Sequence, residues 1–198
     1  RPMDQLAHEL RTSLTAVCGY GEYLQLANAS EVERQEAAEF IVQESRRLTD
    51  LAERLLLLGN LREGSVRVEQ VPVAALFAGA AKAFPRVSYL PTDGEIQGDG
   101  ALLQSLVNNL VKNALEAGAT QVELSFREGC LTVTDNGCGM DEATLAMART
   151  PPRRGSMTGN KGMGLALCHR IAALHRARIS FASQVELGTQ VQVDFTTS

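Results

Sequence analysis

At 198 residues and 44% hydrophobic content, the chain can bury a sizeable core and sits between one domain and two. Nineteen Lys and Arg against 23 Asp and Glu leave a formal charge of −4, which offers no basic stripe for DNA or RNA. No stretch approaches the roughly 18 apolar residues that span a membrane, and four cysteines (Cys18, Cys130, Cys138, Cys168) without CxxC spacing argue for reduced thiols over a disulfide framework or a zinc site.

Met3, Ala7, Leu10, Leu14, Val17, Gly21 and Leu24 recur at alternating steps of four and three. This coiled-coil-like seam predicts a helix running to about Ala27. His8 and Thr12 fall outside the seam, one turn apart, and Glu9 follows His8 directly. An exposed imidazole beside a carboxylate can accept a phosphoryl group: the neutral nitrogen attacks and the carboxylate takes up the released proton. For a lone His-Glu pair the plainer reading is a solvent-facing helix residue. After a break at Asn28-Ala29-Ser30, Ser30 and Glu33 are spaced as a capping box that starts a second helix. Its seam comprises Ile41, Ser45, Leu48, Ala52 and Leu55, and the run Leu55 to Leu58 is apolar on all sides, which suits burial at the base of a bundle or against a following domain. Two such helices joined by a short turn form an antiparallel hairpin with too little surface to bury both seams, so a dimeric four-helix bundle is expected.

Gly59-Asn60 and Arg62 to Ser65 read as a linker between a unit at 1–61 and a unit at 66–198. In the second unit the expected order is a strand from Val66 to Val71, a helix from near Pro72 to before Pro85, and a strand from Val87 to Leu90. A long helix follows with Leu102, Leu103, Leu106, Leu110 and Leu115 on its apolar side. Asn109 and Asn113, four apart on that helix, project from one face, where carboxamide oxygens suit a hard cation. Thr120 to Phe126 and Cys130 to Thr134 alternate around Glu128-Gly129 as a hairpin. The second strand delivers the Asp135 carboxylate to its end, followed by Gly137 and Gly139, which let backbone approach a ligand. Gly159 to Gly164 lead into a helix at about Leu165, and free amides at such a start attract phosphate. Cys168, His169 and His175 are expected to pack. A last strand pair, Arg178 to Ser183 and Thr189 to Thr196, turns near Gly188. The sum is an α+β two-layer sandwich with helices on one face of a sheet.

The order of Asn109-Leu110-Val111-Lys112-Asn113, Asp135-Asn136-Gly137-Cys138-Gly139 and Gly159-Asn160-Lys161-Gly162-Met163-Gly164, behind His8-Glu9-Leu10-Arg11-Thr12, resembles a sensor histidine kinase core. Its nucleotide domain shares the ATPase fold of gyrase, Hsp90-type chaperones and MutL. The resemblance covers nearly the whole chain. It implies phosphorylation of His8 from ATP, Glu9 as general base and Thr12 as the residue that positions water for phosphatase action. It also implies Asn113 on Mg2+ with Asn109 beside it, Asp135 on the adenine amino group, and Gly137 and Gly139 near the base. Lys161, Gly162 and Gly164 would meet the phosphates and Thr189 would stand near the adenine, with Arg153 and Arg154 as weaker phosphate contacts. The implied partners are a second copy, through the hairpin, and the receiver domain of a response regulator; neither nucleic acid nor membrane is expected to contact this stretch. The chain enters a helix without a start methionine, as expected of a cytoplasmic piece whose sensory or membrane portion lies upstream.

Three departures accompany the resemblance. Ser13 stands where the family usually has proline, which predicts a straighter helix around His8. Asn109 occupies the place of the water-activating carboxylate of gyrase-like relatives, which argues for transfer to His8 over hydrolysis. Met147-Ala148-Arg149-Thr150-Pro151-Pro152 lacks the phenylalanine that usually precedes the lid, so the lid loses an apolar anchor. The alternative from another class is a phosphotransfer or scaffolding module whose nucleotide domain has lost catalysis.

Overall fold

A computed structural model describes residues 2–25, 30–58, 67–151 and 163–196; within the helical hairpin, side chains are described for 10–25, 30–45, 47 and 48. The chain divides into two units, Arg1–Asn60 and Leu61–Ser198. The expected linker residues and the side chains of the Leu55 to Leu58 run lie outside the described set.

The first unit pairs α1 (Pro2–Gln25) with α2 (Glu31–Leu58). The capping box forms as spaced: Glu33 Oε2 accepts from the Ser30 amide at 2.8 Å and the Ser30 hydroxyl at 2.7 Å, while the Glu33 amide donates back to Ser30 Oγ at 3.3 Å. Those hydrogen bonds hold the exposed Glu33 carboxyl below the usual range, the Ser30 side chain contributing most. The antiparallel register is set by Ser13 donating to Glu44 near one end and by Tyr20 against Phe40, ring centroids 4.2 Å apart, nearer the turn.

Most described residues of the expected seams are half-buried: Leu10, Val17, Gly21 and Leu24 on α1, and Ile41 and Leu48 on α2. Leu14 is 53% exposed, whereas Ser13 is buried at 2%, and Ser45 on α2 is exposed. The small Ser13 side chain lets the helices approach and finds a carboxylate partner. On α1, Leu14 is the described seam residue left exposed. Helix α1 runs uninterrupted through Ser13, where an amide hydrogen is available for the helix ladder.

In the second unit a five-stranded sheet has the order β2-β4-β5-β7-β6. Its strands are β2 (Val87–Tyr89), β4 (Val122–Arg127), β5 (Cys130–Asp135), β6 (Arg178–Gln184) and β7 (Gly188–Asp194). β2 runs parallel to β4 and the other pairs are antiparallel. Cross-strand register stacks the inward side chains in rows: Leu124, Val133, Val191 and Phe181 in one, Phe126, Leu131, Val193 and Ile179 in the next. Helices α3 (Val73–Ala83), α4 (Gly100–Glu116) and α6 (Met163–Leu174) supply the other half of the core, with Phe77, Leu103, Leu106, Leu167 and Ile171 fully buried. Glu123, Gln190, Gln192, Ser180 and Ala182 alternate onto the opposite, exposed face. This is the two-layer α+β arrangement expected.

Two elements went unforeseen. β3 (Glu95–Gly98) pairs with β1 (Glu69–Pro72) in a separate two-stranded sheet; it is short and carries Ile96 as its one inward anchor, too little for a period to appear. α5 (Glu142–Arg149) is announced by Asp141, whose carboxylate accepts from the Thr144 amide at 2.7 Å. The two later histidines pack but also bond. His169 Nε2 lies 2.7 Å from Ala148 O, and His175 accepts the Asp99 amide at 3.0 Å through Nε2.

Candidate functional site

The third row of the core face is polar. Val122, Asp135, Thr189 and Ser183 are successive cross-strand partners on β4, β5, β7 and β6, so the apolar rows end in a carboxylate and two hydroxyls at one edge of the sheet. Asp135 Oδ1 accepts the Gly137 amide at 2.8 Å and the Thr189 amide at 3.3 Å, which orients the carboxylate and leaves Oδ2 without a partner among the described residues. An ionised carboxylate at that place can only accept, as a ligand amino group requires.

The loop after Asp135 is fixed from both sides. Asn136 Oδ1 accepts the amides of Thr120 and Gln121, both at 2.9 Å, the Cys138 amide donates to Ala117 O at 2.9 Å, and the Glu186 amide donates to Cys138 O at 2.8 Å. Two glycines make this crossing possible. Gly139 has φ of 67° and Gly188 φ of 102°; a methyl group there would lie 2.0 Å from Gln184 O and 1.9 Å from Asp135 O respectively. Gly137 is buried against Ala117 O.

Asn109 and Asn113 share one face of α4, as their spacing requires. Asn109 is buried at 6% and its Nδ2 donates to Ser105 O at 2.9 Å, which directs Oδ1 away from that turn. Both carboxamide oxygens converge on the first turn of α6: a methyl group on Gly164 would sit 2.9 Å from Asn109 Oδ1 and 3.4 Å from Asn113 Oδ1. A glycine there keeps open a cradle lined by two hard oxygen donors and the start of a helix. Among the described residues no three His, Cys, Asp or Glu side chains gather as a metal site, so a cation would have to rely on carboxamide, phosphate and water oxygens.

The structure thus brings together Asp135, Gly137, Gly139 and Thr189 at one edge, and Asn109, Asn113 and Gly164 between α4 and α6. Lys161, Gly162, Arg153 and Arg154 lie outside the described residues. His8 and Glu9 lie in α1, with side chains outside the described set, and Thr12 is exposed. Sequence reasoning passed over Asn136, which rivets the loop to the α4–β4 connection, and Ser183, whose hydroxyl accepts from the Met140 amide at 2.8 Å. Ser183 was visible in principle: two residues after Phe181 on a strand, it is a polar residue at an inward position.

Fold and cradle define a nucleotide-binding ATPase domain preceded by a helical hairpin. Residues 98–197 match the "Histidine kinase-, DNA gyrase B-, and HSP90-like ATPase" family and residues 3–64 the "His Kinase A (phospho-acceptor) domain"; the chain belongs to that ATPase family, as a sensor histidine kinase core. It is 32% identical over 202 residues to the phosphate regulon sensor protein PhoR of Pseudomonas aeruginosa, covering 90% of this chain but 45% of PhoR. Among solved structures, the histidine kinase AdeS of Acinetobacter baumannii superposes with a TM-score of 0.57 at 19% identity, covering 96% of this chain and 98% of that one. Full-length ShkA, solved with AMPPNP, gives 0.65 at 21% identity, covering 98% of this chain and 46% of that one. At such identities these structures speak for the fold alone. Among the described residues no helix is long and apolar enough to cross a membrane.

Proposed function

We propose that this chain transfers the γ-phosphoryl group of ATP to His8 and passes it on to an aspartate of a response regulator receiver domain. The observation that carries the reading is the convergence of the Asn109 and Asn113 oxygens on Gly164, together with an Asp135 carboxylate with one oxygen available to a base. Asp135 binds the adenine amino group, Thr189 stands next to it, and the amides at the start of α6 face the phosphates together with Lys161, Gly162 and Gly164. Asn113 would hold Mg2+, which would supply neutralisation of phosphate charge. The reaction asks the protein chiefly for positioning and charge compensation. Glu9 takes the proton released from the attacking His8, and Thr12 orients water when phosphate is removed.

Residues 1–61 act as the dimerisation and phosphotransfer hairpin and 66–198 as the catalytic domain. The outward Leu14 supports pairing with a second copy, because an exposed apolar seam on a thin hairpin calls for a partner surface. The setting is cytoplasmic. An ordered carboxylate and cradle speak against a nucleotide domain that has lost its ligand.

Incubation with γ-labelled ATP and Mg2+ tests the reading. Acid-labile, alkali-stable label is expected on the wild type. His8→Ala abolishes it, and Asn113→Ala lowers it by about a hundredfold or more, in line with loss of a group that positions the transferred phosphoryl. A folded, dimeric wild type that takes no label would overturn autonomous kinase activity.

A further inference from the structure

Helices α4 and α6 hold the asparagine cradle between them, and their contacts show how one is registered on the other. Gly164 opens α6 beside Asn109 and Asn113, Cys168 Sγ lies 3.9 Å from Leu106 O, and His175, just past the end of α6, meets the start of α4. Partners on α4 recede as α6 advances. The two helices therefore run antiparallel, with the cradle at one end and His175 at the other. Both helices otherwise bury apolar side chains, among them Leu103, Leu106, Leu167 and Ile171. Apolar burial is non-directional, so a directional contact at the end of α6 adds what burial does not, a fixed position along the axis.

His175 supplies that contact. Its Nε2 is 3.0 Å from the Asp99 amide and its Nδ1 is 2.8 Å from Ile171 O. Both directions are forced, because a backbone amide only donates and a backbone carbonyl only accepts. The ring is therefore the neutral tautomer with its hydrogen on Nδ1: that hydrogen anchors it to its own helix, and the Nε2 lone pair anchors it to α4. The amide it engages belongs to the residue that starts α4, since Asp99 Oδ1 accepts the Ala101 amide at 3.0 Å and the Leu102 amide at 3.1 Å. Gly98 gives the ring its place, because a methyl group there would lie 2.6 Å from His175 Nε2.

We propose that His175 is a positioning residue for the triphosphate: by fixing α6 axially against the α4 cap, its Nε2 lone pair keeps Gly164 between the Asn109 and Asn113 oxygens. An axial slip of about 1.5 Å, the rise of one helical residue, is large beside the 2.9 and 3.4 Å that would separate a methyl group on Gly164 from those oxygens. His175 touches no nucleotide in this scheme and acts through α6. The Asp135 edge is built on β5 and β7 and does not depend on that register. Loss of the lock therefore weakens the phosphate end of the site and spares the base end. The proposal rests on the reading of the cradle as a phosphate and Mg2+ site, and goes beyond it by assigning what holds the cradle in register.

The test is a titration of the whole chain with ATP and Mg2+ and with adenosine, alongside thermal melts. His175→Ala is expected to weaken ATP by about tenfold, the scale of one hydrogen bond, at unchanged adenosine affinity. Two further variants separate the ring nitrogens. His175→Gln places an oxygen acceptor at the reach of Nε2 and should restore ATP binding, whereas His175→Asn replaces only the Nδ1 donor and should not. Gly98→Ala crowds the ring off Asp99 and should reproduce His175→Ala with the imidazole still present. Equal losses for ATP and adenosine in His175→Ala would overturn the proposal and leave a purely structural role. Recovery in His175→Asn but not in His175→Gln would overturn it too. Should His175→Ala not fold, His175→Asn must show the selective loss, and an unchanged ratio of ATP to adenosine affinity there is equally fatal. A wild type that binds adenosine as tightly as ATP would bring down the cradle reading, and this proposal with it; one that binds neither would bring down the nucleotide reading itself.

Discussion

The hairpin and the nucleotide domain build their frameworks in opposite ways. In the α/β unit, three rows of cross-strand partners and three covering helices bury Leu103, Leu106, Leu124, Leu131, Leu167 and Ile171 completely, and the site grows out of the last row. Among the described side chains of the hairpin only Ala37 and Ser13 are buried, while Leu14, Val32 and Val42 are about half or more exposed. One unit positions its groups by a framework it closes alone. The other positions them through two helices in register, with an apolar face left over.

The widest contrast is expected from glycine to alanine changes in the two units. Gly188→Ala forces a side chain to φ of 102° and into Asp135 O at 1.9 Å. It should cost about 3 kcal/mol or more and remove ATP binding, read by thermal melting and titration. Gly19 on α1 has nothing within 4 Å of an added methyl, so Gly19→Ala should stabilise the hairpin by roughly 0.5–1 kcal/mol. A similar sign at both positions would erase the distinction.

A leucine pair sharpens it further. Leu124→Ala opens a cavity in a fully buried row and should cost about 3 kcal/mol at any protein concentration. Leu14→Ala should cost well under ~1 kcal/mol within one chain. Its effect should appear instead as a loss of the concentration dependence of melting, if a second copy covers that seam.

The smallest effect concerns the capping box. The Glu33 carboxyl, held low by Ser30, contributes helix stability that is fully present above the ordinary glutamate range and is lost as pH falls through its depressed value. Helicity followed by circular dichroism should therefore decline on acidification more in the wild type than in Glu33→Gln, whose side chain does not titrate.

The site motifs were readable because each is local. Asn109 and Asn113 need only a helical period to share a face, and Asp135 needs only an alternating strand to be delivered to its end. The capping box of Ser30 and Glu33 is local in the same way. What escaped was decided across the fold. The burial of Ser13 comes with a bond to Glu44, 31 residues away, which no heptad count contains. Strand β3 exists because β1 pairs with it, and Ser183 is bonded to neighbours on β7 and on the loop after β5.

The pairing of Asp135 with Thr189 spans 54 residues, and the strand that supplies Thr189 is the last element of the fold. Long-range pairings form late, because closing a long loop precedes any gain from the contact. A chain ending before β7 therefore lacks the Asp135–Thr189 edge altogether.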